Sequence, residues 1–304
     1  MSIIKNRHEL LFVYDVKEGN PNGDPMDSNK PRLDEKTGHN IVTDVRLKRT
    51  IRDDLVSKGE TIFVAGEAET SDKRAEFLIG NLTDYAKNRE KASRALLEKC
   101  IDLRLFGGTI PLKDLNMSLT GPVQFRFGRS LHVVDPSFMQ GTAAFATVGK
   151  EQRSFREEWL LHYSALAFYG VINQNAAKWT FLTDEDVQKF LVSLWEGTKD
   201  LITRSKMEQL PRLLIDVVYK GGMNFHIGEL DKALRLISEK PDDEIRNVNE
   251  YAIEVGQLAL LFDQASDKIE RIRYRHDPRL KLTVNGTEVT PAEILPEKSE
   301  ALPV

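Results

Sequence analysis

Cysteine is almost missing from this chain: Cys100 stands alone among 304 residues. An internal disulfide and a Cys-based zinc site are both excluded. Its setting, the amphipathic run from Arg94 to Leu105, suits a buried structural thiol. The six histidines are scattered singly with no His-x-x-x-His pair. Spacing therefore indicates no metal site, and no cofactor is expected. No apolar run approaches the roughly 20 residues that span a bilayer. Met1 to His8 is polar and lacks the apolar centre of a signal peptide. The expectation is a cytoplasmic protein with no membrane partner. Positive charge is not in excess either, since the formal net charge is −4. That argues against a simple basic nucleic-acid binder. Phosphate contacts depend on local clustering, however, so an acidic protein can carry a shaped basic groove. There is no G-x-x-x-x-G-K-[ST] loop and no dinucleotide fingerprint. Internal repeats and low-complexity tracts are absent as well.

What is present is the composition of a globular protein, 40 % hydrophobic and 30 % charged. Glu9 to Val16 (ELLFVYDV) is apolar on both alternating faces, the mark of a central strand buried on two sides. Gly19 to Pro25 is a dense cluster of turn formers that sustains neither helix nor strand. The polar loop is expected to run to about Asn40. Thr43 or Asp44 then caps a helix to about Ser57, with Leu47, Ile51 and Leu55 as its apolar stripe and Gly59 as its stop. A second helical pattern runs from about Asp84 to Leu105, between Thr83 and Gly107-Gly108. Val123 to Val134 alternates as a strand, Asp135 to Glu158 is a polar candidate protrusion, and Leu160 to Ile172 is another strand. Thr183 caps a helix from Asp184 to about Thr203, and Leu213 to Tyr219 is a doubly apolar strand. Beyond it the pattern predicts a helix over about Gly228 to Ser238, an apolar run from Tyr251 to Phe262 and a strand over Ile269 to Tyr274. The tail past Pro291 is expected to fray. Without an insertion at 60–118 the outline is β-α-β-β-α-β. The fold class is α+β, a four-stranded sheet with helices on one face and RNA or further protein on the other.

Several constellations bear on chemistry. Arg46, Lys48, Arg49 and Arg52 neighbour one another on the first helix at spacings of three and four. Like charges so placed either form a solvated face or gather around an anion. The loop before them favours the anion. Glycine and asparagine permit close backbone approach, and Asn20, Asn22 and Gly23 can offer donors to phosphate or ribose beside a helix N-terminus. Arg204 and Lys206 follow the helix that starts at Asp184; they either donate to phosphate or form an ordinary charged exit. Arg271, Arg273 and Arg275 share a face if their segment is a strand. That face would meet phosphates, a partner's acids or solvent. Phe138 and Met139, in the polar protrusion, either wedge between bases or fold back into the core. Asp15, Asp24, Asp27, Asp34 and Asp44 surround the loop. Such carboxylates could hold Mg²⁺ for phosphoryl chemistry, although Asp24 and Asp27 also suit turn hydrogen bonds and Asp44 suits a cap.

The segments GNPNGDP (Gly19 to Pro25), NKPRLDEKTGHNIVTDVRLKRTIRD (Asn29 to Asp53), LRLFGG (Leu103 to Gly108) and TRSKMEQLPRLL (Thr203 to Leu214) carry a family resemblance. Together they resemble the Cascade backbone subunit of CRISPR systems, in the type I-B branch of the RAMP superfamily. The likeness runs from about residue 9 to about residue 276. It implies an RRM-like (ferredoxin-like) palm, with residues 1–59 as its first part and 60–118 as an inserted helical element. Residues 119–276 complete the palm, with a thumb-like protrusion at about 135–158, and 277–304 form a C-terminal extension. It further implies a non-enzymatic scaffold whose identical copies stack head to tail on a guide RNA. The guide then pairs with target DNA, and other Cascade subunits bound the stack. The motif carries RNA-binding roles to Asn20, Asn22, Gly23, Arg46, Lys48, Arg49 and Arg52, and a base-splaying role loosely to Phe138 and Met139. The alternative is a metal-dependent endoribonuclease using the loop carboxylates.

Overall fold

A computed structural model describes residues 2–66, 69–85, 88–112, 116–146, 153–295 and 298–302; for 142–146 and 153–156 only the backbone is described. Strand β1 (His8–Gly19) leads through the two-residue strands β2 (Gly23–Asp24) and β3 (Lys30–Pro31) to β4 (His39–Val42) and helix α1 (Asp44–Ser57). Helices α2 (Ser71–Ile79), α3 (Arg89–Lys99) and α4 (Ile101–Phe106) follow, then the hairpin β5 (Gly107–Ile110) and β6 (Met117–Thr120). Next come β7 (Val123–Phe125), β8 (Gly128–Val133), β9 (Pro136–Ala146), β10 (Arg153–Ile172), α5 (Gln174–Thr180), α6 (Asp184–Lys199) and β11 (Gln209–Tyr219). The remainder is β12 (Arg235–Ser238), β13 (Tyr251–Glu254), α7 (Gly256–Gln264), β14 (Ile269–His276), β15 (Lys281–Val284), β16 (Thr287–Val289), α8 (Pro291–Ile294) and β17 (Ser299–Ala301).

The large sheet has the order β17-β14-β11-β1-β10-β8-β4, with β7 and β9 also pairing β10. Strand β1 lies at its centre, antiparallel to both β10 and β11. Alternation along β1 then decides what each face meets. Leu10, Phe12, Tyr14 and Val16 share a core with Leu47, Ile51 and Leu55 of α1 and with Phe190, Leu191 and Leu194 of α6. Each such fully buried side chain is worth about 1.5–3 kcal/mol. Helices α1 and α6 approach closely because Gly197 faces α1: a Cβ there would stand 2.7 Å from Cβ of Asp54. Leu11 and Val13 point the other way, into a core with Leu258 and Phe262 of α7 and Ile253 of β13. A second sheet, β12-β13-β15-β16, belongs to that layer. The face of the large sheet expected to lie against RNA or other protein is thus covered by the chain itself. A third core, with Phe63, Leu78, Leu96, Leu97, Cys100 and Leu103, lies within the inserted helices and their hairpin. Cys100 is fully buried there, and burial pushes its thiol up to about 12.

Several expectations need correction. The long helix over Asp84 to Leu105 is two helices, broken where Cys100 turns extended at φ −106°, ψ 107°. Its N-cap is Asn88, not Thr83. The polar loop does not continue to Asn40, because His39–Val42 adds to the sheet against β8. Gly228 to Ser238 is no helix: a 3₁₀ turn at Leu230–Ala233 precedes β12. There, pairing with β13 overrides local propensity. The Tyr251 to Phe262 run splits into β13 and α7. The tail is ordered at Ser299–Ala301, where β17 joins the sheet edge parallel to β14. Arg271, Arg273 and Arg275 each pair with an acid of this chain, Arg273 buried and Arg271 exposed at the sheet edge. They pair with Glu300 at 3.7 Å, Asp216 at 2.5 Å and Glu196 at 2.8 Å, respectively.

Several of the buried charges are matched by opposite charges. Arg212 spans Asp15 at 2.6 Å and Asp277 at 2.6 Å, and Tyr163 donates to Asp15 at 2.6 Å. Removing one partner of such a buried pair strands the other charge, at a cost of about 3–5 kcal/mol. Arg212→Ala is therefore expected to lower stability by about that much in chemical denaturation. Burial opposes ionisation of Asp277, but bonds from Arg279 and the charge of Arg212 outweigh it and hold the carboxyl down at about 2. Its ordinary value near 4 lies above that. Its contribution is full above about pH 4 and is lost as the pH falls toward 2. Melting curves across that window should fall more steeply for the parent than for Asp277→Asn.

Candidate nucleic-acid interface

The strand, loop and basic helix meet at the outer end of β1. Gly19 is buried against the segment after α6: a Cβ on it would stand 3.1 Å from the carbonyl oxygen of Ser205. The Asn20 amide donates to that same carbonyl at 2.7 Å. The turn holding Arg204 and Lys206 is thereby fastened to the start of the Asn/Gly loop. The two motifs, some 180 positions apart in the chain, form one site.

Within the loop the asparagine side chains are spent on architecture. Asn20 is buried, and its Nδ2 donates to the Asn29 carbonyl at 2.7 Å. Asn22 Oδ1 accepts from the backbone N–H and the hydroxyl of Thr43, both at 2.9 Å. Thr43 is the N-cap of α1, so Asn22 ties the loop to the helix that carries the cations. Gly23 is half-buried in the β2–β3 ribbon, paired with Pro31.

The four helix cations separate into kinds. Lys48 donates to Asp44 at 2.9 Å and to Gln124 at 3.1 Å, and its side chain is 12 % exposed. Arg52 donates to Asp102 at 2.9 Å, lies 5.0 Å above the Phe106 ring, and is 11 % exposed. Asp102 also accepts from the N–H groups of Phe63 and Val64, so Arg52 joins α1 to the inserted element. Arg49 is exposed and pairs with Asp53 at 2.8 Å. Arg46 differs from all three. It is half-buried, and its one side-chain partner among the described residues is the Thr50 hydroxyl at 3.1 Å. Burial, with the charge of Arg49, pulls its proton affinity down against the pull of Tyr14 and Asp53. Lys206 is also half-buried, and burial and then the charge of Arg46 depress it. Its Nζ meets Ser205 Oγ at 3.5 Å, and no carboxylate pairs with it among the described residues. Two partly desolvated cations thus lie within electrostatic reach of each other, and no carboxylate is hydrogen-bonded to either among the described residues. Arg204 beside them is exposed and pairs with Glu158 at 2.6 Å.

Strands β9 and β10 pair in an antiparallel ribbon from Pro136–Leu161 to Ala146–Arg153. Residues 147–152 of the expected thumb-like protrusion lie outside the described residues. Phe138 and Met139 are 43 % and 46 % exposed, so neither is folded into the core. Phe138 packs on Trp159 at 4.9 Å between centroids, and Lys30 lies 5.2 Å from the other ring. At the ribbon's root His162 bridges Glu18 at 3.1 Å and Ser137 at 2.8 Å, joining the ribbon to the end of β1. Trp159, Lys30, His162 and Glu18 were not singled out from sequence, where only Lys30 falls within a quoted motif and that motif does not mark it as a contact.

The loop carboxylates do not converge. Asp24 pairs with Arg32 and caps the Met26 N–H, Asp34 pairs with Arg129, Asp44 pairs with Lys48, and Asp15 is buried on Arg212. Among the described residues no three His, Cys, Asp or Glu side chains gather as a metal site. No helix among them is long and apolar enough to cross a membrane.

The architecture is a mixed α+β one, with a large sheet and eight α-helices among the described residues. Solved chains share it. One from a CRISPR RNA-guided surveillance complex described as pre-nicking superposes with a TM-score of 0.54 at 12 % identity, over 95 % of this chain and 98 % of that one. Another from a CRISPR RNA-guided surveillance complex gives 0.52 at 13 % identity, over 95 % and 96 %. Residues 6–256 match the family model for CRISPR-associated protein Cas7. The CRISPR-associated protein Cas7 of Haloferax volcanii is 33 % identical over 322 aligned positions, spanning 97 % of this chain and 94 % of that protein. The chain belongs to the Cas7 family.

Two consequences of the geometry can be measured. Lys206→Met should raise thermal stability, because it removes one of two like charges held in low dielectric. Arg52→Ala should lower stability by about 3 kcal/mol or more, since it leaves the fully buried Asp102 unpaired. Differential scanning calorimetry of both variants tests the division between the free cations and the paired ones.

Proposed function

We propose that this Cas7-family chain is a guide-RNA-binding backbone subunit of a type I-B Cascade surveillance complex. The observation that carries the reading is the half-buried pair Arg46 and Lys206, at the root of the β9–β10 ribbon, with no carboxylate hydrogen-bonded to either among the described residues. A phosphate oxygen is the natural third party. It accepts from both side chains and relieves their mutual repulsion. The sheet, with α1 and α6 on one face, serves as an RRM-like palm, and the β9–β10 ribbon serves as the thumb. Phe138 and Met139 then stand exposed where unstacked bases can pack on them. Arg49 and Arg204 exchange their surface carboxylates for phosphate at little cost, because exposed ion pairs are weak. The phosphate grip reads no sequence, so guide bases remain free to pair with target DNA. Copies stack head to tail along the RNA, and other subunits of the complex end the stack.

In this reading the subunit is a scaffold and performs no cleavage, and labelled guide RNA stays intact with Mg²⁺. Metal-dependent cutting abolished by Asp24→Ala would favour the nuclease instead. The direct test is a salt series of RNA-binding titrations on Arg46→Ala with Lys206→Ala. Losing this single-strand phosphate contact should flatten the slope of log K against log salt by about 0.7 per copy. An unchanged slope and affinity in a folded double variant would remove this pair from the interface.

A further inference from the structure

Away from the cation pair, on the far layer, α7, the β15–β16 hairpin and α8 enclose a groove of about 740 Å³. It is lined by the apolar Leu260, Val289 and Ile294 together with the acids Glu254, Asp263 and Glu293. No lysine or arginine is among the described residues lining it. Glu254 accepts from the Asn285 and Gly256 amides, and Glu293 closes a capping box with Thr290. Both are held in place as anions, with burial opposed and outweighed at Glu254 and the Thr290 bonds dominant at Glu293. Leu260 is 56 % exposed on this surface. The groove is therefore apolar, acidic and shaped, and it is unfilled by the side chains of the described residues.

The chain carries a matching knob. Trp179 on α5 is 77 % exposed, whereas Trp195 is buried and Trp159 is covered by Phe138 and Lys30. Beside it Lys178 is exposed and has no ion-pair partner among the described residues. An exposed tryptophan flanked by an unpaired cation suits a pocket lined by both apolar and acidic side chains. Helix α5 packs through Ala177 into the core under α1 and α6. Helix α7 packs through Leu258 and Phe262 into the core on the opposite face of the sheet. One molecule cannot bring its own knob to its own groove, but two copies can.

We infer that Trp179 and Lys178 of one copy dock into the α7–β15–β16–α8 groove of the next. The contact is heterologous, since different surfaces meet, and its repetition along an RNA gives the head-to-tail stack of the proposed function rather than an isologous dimer. This inference rests on the stacked-copy reading and assigns it a surface. A tryptophan buries about 150–250 Å², so the knob is the anchor of a larger interface and not the whole of it.

A crosslinking experiment tests the assignment. Lys178→Cys and Asp263→Cys in one chain place thiols beside the knob and at the groove, with Trp179 intact. Buried Cys100, its thiol pushed up to about 12, contributes no background. On a guide RNA long enough for several copies, a short bismaleimide should give a ladder of covalent multimers. Each single-cysteine variant should give none. In the otherwise parental background, Trp179→Ala should weaken multi-copy loading on long RNA at least tenfold, while binding to an RNA that fits one copy stays unchanged. Multi-copy loading without a ladder, and without a Trp179→Ala effect, overturns the docking site and leaves stacking standing. No multi-copy loading by the parental chain overturns both.

Discussion

Strand β1 is buried on both faces, and the rest of the architecture follows from that constraint. A strand in the middle of a sheet must satisfy its backbone through two neighbours, here β10 and β11. Its side chains alternate between two cores, so the sheet needs a covering layer on each side. Helices α1 and α6 supply one, and the α7 and β12–β16 layer supplies the other. At β1 itself, neither face of the sheet is left to take a ligand. A polymer meeting the β1 region therefore meets strand ends, loops and protrusions. The outer end of β1 is such a place, where the Asn/Gly loop, the start of α1, the turn after α6 and the root of the β9–β10 ribbon converge.

Electrostatics at that end divides support from function. Lys48 and Arg52 are neutralised by acids of the same chain and hold elements together. Arg46 and Lys206 are left within electrostatic reach of each other, at a cost to the folded protein. Strain of this kind persists where a ligand repays it. The same division explains how a chain of net charge −4 can serve a polyanion. Many carboxylates at this end answer cations of the same chain, while the half-buried Arg46 and Lys206 have no carboxylate hydrogen-bonded to them among the described residues.

Much of this was legible in sequence, for identifiable reasons. The doubly apolar pattern of residues 9–16 could only be a central strand. Thr43 with the Leu47/Ile51/Leu55 stripe fixed α1 to within a residue. Thr183 marked the start of α6, which has a full capping box, although the helix ends at Lys199 rather than about Thr203. The misses have physical causes. Residues 84–105 read as one helix because the break at Cys100 involves neither glycine nor proline. The arginines of β14 looked like a free face because their partners, Asp216, Glu196 and Glu300, are distant in the chain or lie in the tail. Asn20 and Asn22 looked like outward donors because loop asparagines often are, yet here they wire the loop to Ser205, Asn29 and Thr43. The approach of Arg46 to Lys206 spans 160 positions, and no local pattern could reveal it.

The cation pair stands at the centre of this account, and its occupancy can be read without mutation. Lysine acylation followed by mass spectrometry, with and without guide RNA, reports each amine separately. Lys206, its proton affinity lowered by burial and by Arg46, should react readily in the free protein and be protected when RNA is bound. Lys48, already held by Asp44 and Gln124, should change little. Equal reactivity of Lys206 in the two states would contradict the assignment of this pair as the phosphate grip.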